Sequence, residues 1–154
     1  MNTELEIETL QFFKITPRAT TPTKAYGKPA GTDIYAAYDY KIAPLTMEKV
    51  KTDLKVKLPE GTYGRIAARS GVTIAEQIII GGGVVDPDFT GNITILVFNL
   101  SNTDCIIKTG DSFAQLICEK ISHPALVEIS DIPNTERGEK GFGSSQEDEK
   151  KNEE

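Results

Sequence analysis

The chain has 154 residues, with 17 Lys or Arg against 23 Asp or Glu and a net charge of −6. That length supports one domain with a proper core and leaves little for a second. The acidic balance excludes a nucleic-acid coat, which needs a basic stripe, although a few placed arginines suffice for a phosphate ligand.

Residues 1–9 are acidic and expected to fray. Gln11–Thr16 (QFFKIT) reads as a first strand, and the stretch 17–29 is turn-rich, with three prolines. In Ala30–Tyr40 (AGTDIYAAYDY), β-formers flank Asp33, which after a glycine commonly caps a turn. Val50–Leu58 (VKTDLKVKL) alternates apolar and charged residues, the pattern of a strand with one wet face. Pro59–Gly61 turns the chain and Tyr63–Ala68 returns it. Arg69-Ser70-Gly71 then precedes Val72–Gln77, which reads as one or two helical turns. Ser70 is an acceptable N-cap; alternatively the arginine, the serine and free backbone N–H groups hold an anion. Both readings stand on the sequence.

Ile78–Ile80 and Ile93–Leu100 are apolar on both strand faces, which calls for cover on both sides, the second by another subunit. Between them lies GGGVVDPDFTG (81–91), which reads as a β-hairpin with one carboxylate and one aromatic ring at its tip. Lys108–Asp111 is a turn and Ser112–Ile121 a further strand, in which the neutral amide of Gln115 is either a structural tie or a ligand contact. Cys105 and Cys118 read as buried free thiols. With His123 the single histidine, a histidine metal site or a Ser-His-Asp triad has too few parts. Val127–Ile129 is expected to form a last short strand. Thr135–Ser145 (TERGEKGFGSS) is a glycine-rich arm, and 146–154 a solvated acidic tail expected to be disordered.

Turn signals about every 8–12 residues, without long helical periodicity, predict an all-β jelly-roll sandwich or barrel. It would have at most one short helix, near residues 71–77, and a flexible C-terminal arm. The expected organisation is a β domain over 1–134, the arm over 135–145 and the tail over 146–154. No apolar run reaches the length of a membrane span, and Met1–Glu4 lacks the basic and apolar regions of a secretory leader. An intracellular location, cytoplasmic and/or nuclear, is therefore expected.

Taken in order, AGTDIYAAYD (30–39), ARSG (68–71), GGGVVDPDFTG (81–91), GDSFAQLI (110–117) and RGEKGFGSS (137–145) resemble the motif set of the homotrimeric dUTPases over nearly the whole chain. The resemblance implies a jelly-roll homotrimer with active sites shared between subunits, and hydrolysis of dUTP to dUMP and pyrophosphate. It implies Asp86 as the base that activates water, with Gln115 near the α-phosphate. Ser70 and Gly71 would hold the phosphate chain. The backbone at Gly83 and Val84 would read uracil, and Phe89 would lie under the deoxyribose. Arg137, Gly143, Ser144 and Ser145 would close over the γ-phosphate, with Phe142 stacked on the base. Mg2+ would arrive with the nucleotide, its waters held by Asp33. Neither direct nucleic-acid binding nor a membrane is implied.

Phe89 stands where tyrosine is usual in that family, and Thr32, Ala68, Thr90 and Ser112 also depart from its pattern. Two alternatives share the same fold: a catalytically weak regulatory module, and a dCTP deaminase. The RGEKGFG arm and the ARSG segment favour the hydrolase, since deamination needs a different acid–base pair.

Overall fold

The computed structural model describes residues 7–141. It divides into a unit spanning Met1–Ser122 and a second spanning His123–Glu154. The first is almost entirely β. In chain order it contains β1 (Gln11–Lys14), β2 (Thr32–Tyr35), β3 (Tyr40–Ile42), β4 (Met47–Lys51), β5 (Leu54–Lys57) and β6 (Thr62–Ala68). The helix α1 (Ser70–Glu76) follows, then β7 (Ile78–Gly81), β8 (Val84–Val85), β9 (Thr94–Asn99), β10 (Cys105–Ile107) and β11 (Ser112–Lys120). Two larger sheets have the orders β2-β11-β6-β8 and β4-β9-β7, and two ribbons pair β1 with β5 and β3 with β10. All pairs are antiparallel, in keeping with a jelly-roll-like sandwich.

Alternation decides what lies inside. Along β9, Ile95, Val97 and Asn99 are buried, and they meet Val50 of β4, Ile78 of β7, and Phe113 and Leu116 of β11 in one core. Each such apolar side chain contributes about 1.5–3 kcal/mol on burial. Asn99 is tolerated there because its amide donates to the carbonyls of Ile42 and Thr103 and its oxygen accepts from Ser101. Ile79 on β7 and Met47 on β4 stay 45% and 41% exposed, so the chain covers the β4-β9-β7 sheet on one side. Cys105 is buried and Cys118 half-buried, both as free thiols.

Three strand expectations need correction. Val50–Leu58 is not one strand: it breaks at Thr52-Asp53 into β4 and β5, which pair with different partners. Asp53 takes a positive φ of 52° and is almost fully buried. Its carboxylate accepts from Thr16 Oγ1 (2.7 Å), Tyr38 Oη (2.8 Å) and Asn92 Nδ2 (2.8 Å). Its own N–H donates to Asn92 Oδ1 and its carbonyl accepts from the N–H of Ile15. Burial alone would push this carboxyl up, but the three donors, helped by Lys51, hold it below the usual carboxylate range.

The stretch 81–91 is also not a hairpin of two mutually paired arms. The paired arms are β7 and β9, and the chain between them leaves that sheet to lay β8 against β6. In the second unit, Val127–Ile129 forms no strand, and Leu126, Val127 and Ile129 are exposed.

Candidate active site

The glycine-rich loop is built by its backbone. Gly82 and Gly83 have φ of +63° and +87°, in the left-handed region that side chains resist. At Gly83 a Cβ would also lie 2.8 Å from the Ile66 carbonyl oxygen. That close approach lets the Gly83 carbonyl accept from the Ile66 N–H at 2.7 Å, which clamps the loop to β6. Val84, next in line, is 66% exposed. The chain then turns at Asp86–Phe89, closed by the Phe89 N–H donating to the Asp86 carbonyl at 3.0 Å. The Phe89 ring lies over Gly91, where a Cβ would come within 2.6 Å of it. The Asp86 carboxylate is exposed, and no side-chain hydrogen bond or ion pair engages it among the described residues. Val84, Asp86, Phe89 and Asn92 line a cleft of about 280 Å³ there.

A second group gathers where β2, β11 and the β6–α1 junction meet. The pairing of β11 with β2 sets Gln115 opposite Asp33, and its pairing with β6 sets Gln115 opposite Ala67. Gln115 Nε2 donates to the Ala68 carbonyl at 3.0 Å, so the amide is a tie between strands. Its Oε1 faces Gly31, where a Cβ would sit 2.4 Å away. Asp33 lies within β2 and does not cap a turn: its main chain bridges to Thr23 in both directions.

Arg69, not Ser70, is the N-cap of α1 and makes no side-chain cap bond. Its guanidinium instead forms an ion pair from Nε to Asp33 Oδ1 at 3.3 Å, and Nη1 donates to Ser112 Oγ at 2.6 Å and to the Ser112 carbonyl at 3.2 Å. Ser70 is the first helical residue and exposed, and its hydroxyl has no partner among the described residues. Gly71 borders a cleft of about 270 Å³ together with Ser112 and Phe113. Ser112 is the residue that sequence reading left out: its departure from the family pattern was the available signal, and the bond to Arg69 is what gives it meaning.

Sequence-predicted residues thus fall into two groups. Gly83, Val84, Asp86 and Phe89 share one loop; Asp33 and Gln115 face each other across β2 and β11 near the β6–α1 junction that carries Ser70 and Gly71, and of these four only Gly71 lines the second cleft, which has no lining residue in common with the first. In the second unit, Arg137 sits in a turn where its Nε donates to the Lys140 carbonyl at 3.0 Å and the Gly138 N–H donates to the Thr135 carbonyl. Phe142, Gly143, Ser144 and Ser145 lie outside the described residues.

No group of three or more His, Cys, Asp or Glu side chains converges among the described residues. That excludes from them an inner-sphere cage. A hard cation that brings its own waters and phosphate oxygens needs only one carboxylate, met through water. Asp33, with its side chain 17% exposed beside Arg69, fits that requirement.

A small β-sandwich with an unpartnered acid at a turn, and an arginine, a hydroxyl and an amide gathered elsewhere, has the parts of a phosphoanhydride hydrolase. The chain belongs to the dUTPase family, whose profile matches residues 17–146. It is 44% identical over 136 residues to the deoxyuridine 5'-triphosphate nucleotidohydrolase of Mus musculus, covering 88% of this chain and 84% of that one. It is likewise 44% identical over 142 residues to the nucleotidohydrolase of the same name from Fowlpox virus, covering 90% and 98%. Among solved structures, a point mutant of the Staphylococcus bacteriophage 80alpha dUTPase with dUpNHpp superposes with a TM-score of 0.81 at 28% identity, over 89% of this chain and 98% of the other. A mutant dUTPase from phage phi11 of S. aureus, described with a structural Mg(II) ion, gives a TM-score of 0.76 at 26% identity, over 80% and 98%. No helix among the described residues is long and apolar enough to cross a membrane.

Proposed function

We propose that the chain hydrolyses dUTP to dUMP and pyrophosphate, with Asp86 as the base and with sites completed between copies of the chain. The substrate and reaction are those of the family to which it belongs. The observation that carries the assignment of the base is the Asp86 carboxylate, held at a fixed turn and left without an internal partner. Water placed beside it gives up a proton to the carboxylate as its oxygen attacks the α-phosphorus. The bond to the bridging oxygen breaks, and pyrophosphate leaves.

The triphosphate repels any anionic nucleophile. A divalent cation such as Mg2+ would supply most of that neutralisation when bound, and Asp33 is the residue that would hold its water shell. Ser70 Oγ and the Gly71 N–H meet the phosphate chain, and Gln115 stands near the α-phosphate.

The main chain at Gly83 and Val84 reads the uracil edge, kept rigid by the clamp to Ile66. A cytosine would leave buried polar groups unpaired, which discriminates more sharply than a missing contact. A packed methyl is worth only about 1–3 kcal/mol, so refusal of thymine needs a loop that cannot relax. The Phe89 ring under the sugar leaves no room for a 2′-hydroxyl.

Two features support assembly into a homotrimer with shared sites. None of Asp33, Ser70, Gly71 and Gln115 contributes to the cleft at the Asp86 loop, and Ile79 of β7 and Met47 of β4 remain exposed in the single chain. The test is to incubate the purified chain with dUTP, dCTP, dTTP and UTP, with and without Mg2+, and identify the products. Pyrophosphate from dUTP alone is expected. Ammonia from dCTP, or turnover of UTP or dTTP at a comparable rate, would overturn the reading.

A further inference from the structure

Arg69 has two acceptors within reach, and the contacts are unequal. Toward Asp33 it makes a 3.3 Å ion pair, whereas toward Ser112 it makes two hydrogen bonds, the shorter at 2.6 Å. An arginine beside a carboxylate ordinarily forms a bidentate fork that engages both oxygens. Here Asp33 Oδ2 has no partner among the described residues, and the fork is drawn toward β11.

The backbone explains why Ser112 can reach. The register of β11 on β2 shifts between Ser112 and Ala114, an irregularity of the kind that re-aims a side chain at a strand end. Both the hydroxyl and the carbonyl of Ser112 thereby face the Nη1 group. Gln115, two residues beyond Phe113, pins the same strand to Ala68, the residue before Arg69.

We propose that Ser112 is a positioning residue: it holds the Arg69 fork on β11 and so leaves the Asp33 carboxylate available to the water shell of a divalent cation carried in on the nucleotide. This rests on the dUTPase reading. Without the Ser112 hydroxyl, the guanidinium swings onto Asp33, closes the bidentate pair and takes up the oxygen that the cation's water requires. A serine here does by hydrogen bonding what neither alanine nor an apolar side chain provides.

The test measures binding as well as turnover. The full chain and its Ser112→Ala and Ser112→Thr variants are titrated with dUpNHpp by calorimetry, once in EDTA and once in Mg2+, and each variant is melted. The parent is expected to bind the analogue more tightly with Mg2+ than without. In Ser112→Ala that gain should shrink about tenfold, the size of one lost hydrogen bond to a charged group. Ser112→Thr should keep it, and all three should melt alike. A Ser112→Ala chain with the parental Mg2+ gain overturns the proposal, as does a parent with no gain at all. It is also overturned if the gain is lost together with a fall in melting temperature that Ser112→Thr does not repair, since Ser112 would then be merely structural. A parent that fails to hydrolyse dUTP overturns the dUTPase reading itself, an outcome separate from these.

Discussion

Asp53 and Asp86 are the same side chain in opposite circumstances. Asp53 is buried at the corner between β4 and β5, and three side-chain donors from residues 16, 38 and 92 saturate it. Asp86 stands at an exposed turn with its carbonyl used and its carboxylate free of internal partners among the described residues. A carboxylate that has spent its lone pairs on the protein holds a fold together and has nothing left for a substrate. One that has not is available to water.

The contrast can be broken most forcefully at Asp86. Asp86→Asn is expected to lower kcat by about 10²–10⁴-fold, the usual share of a general base, while nucleotide affinity and melting temperature stay at the parental values. Parental turnover in this variant would remove Asp86 from the mechanism.

At the other acid the outcome should invert. Asp53→Ala strands three donors in a dry corner and should cost about 2–4 kcal/mol of stability, read as a lower denaturant midpoint. Activity per folded molecule should survive. A variant as stable as the parent would show that the corner is held by packing alone.

Smaller again is Gly83→Ala, which forces a side chain into positive φ and against the Ile66 carbonyl; about 1–2 kcal/mol of local strain is expected. It should appear as weaker binding of dUMP. Unchanged affinity would mean that the clamp to β6 does not set the loop.

The mildest probe is acid. Because the folded Asp53 carboxyl is held below its unfolded value, its contribution is complete above the unfolded pKa of about 3.9. It is lost as the pH falls through the lower folded value. The stability gap between the parent and Asp53→Asn should therefore narrow on acidification through that window, and a gap that is flat with pH would contradict the assignment.

Much of the fold was legible because strand alternation and turn residues are local signals. The turn at Lys108–Asp111, the last strand (one residue shorter than the expected Ser112–Ile121) and the short helix after Arg69 all followed from neighbours in sequence. The break at Thr52-Asp53 did not. VKTDLKVKL has the alternation of one strand, and the positive φ of Asp53 is sustained by Thr16, Tyr38 and Asn92, each remote in the chain. Val127–Ile129 erred the other way: β-formers were present, but no described strand pairs with them. For the site, the motifs pointed to Asp33, Ser70, Asp86 and Gln115 without indicating which of them share a cleft.

What the sequence alone determined was the family and the all-β class, because ordered motifs and period-2 alternation are written in adjacent residues. Only the tertiary structure decided where the chain leaves one sheet for another, that Gly83 is clamped to Ile66, and that Ser112 shares Arg69 with Asp33. Those choices are settled by hydrogen bonds between residues far apart in the chain, whose energies exist only once the strands that carry them have come together.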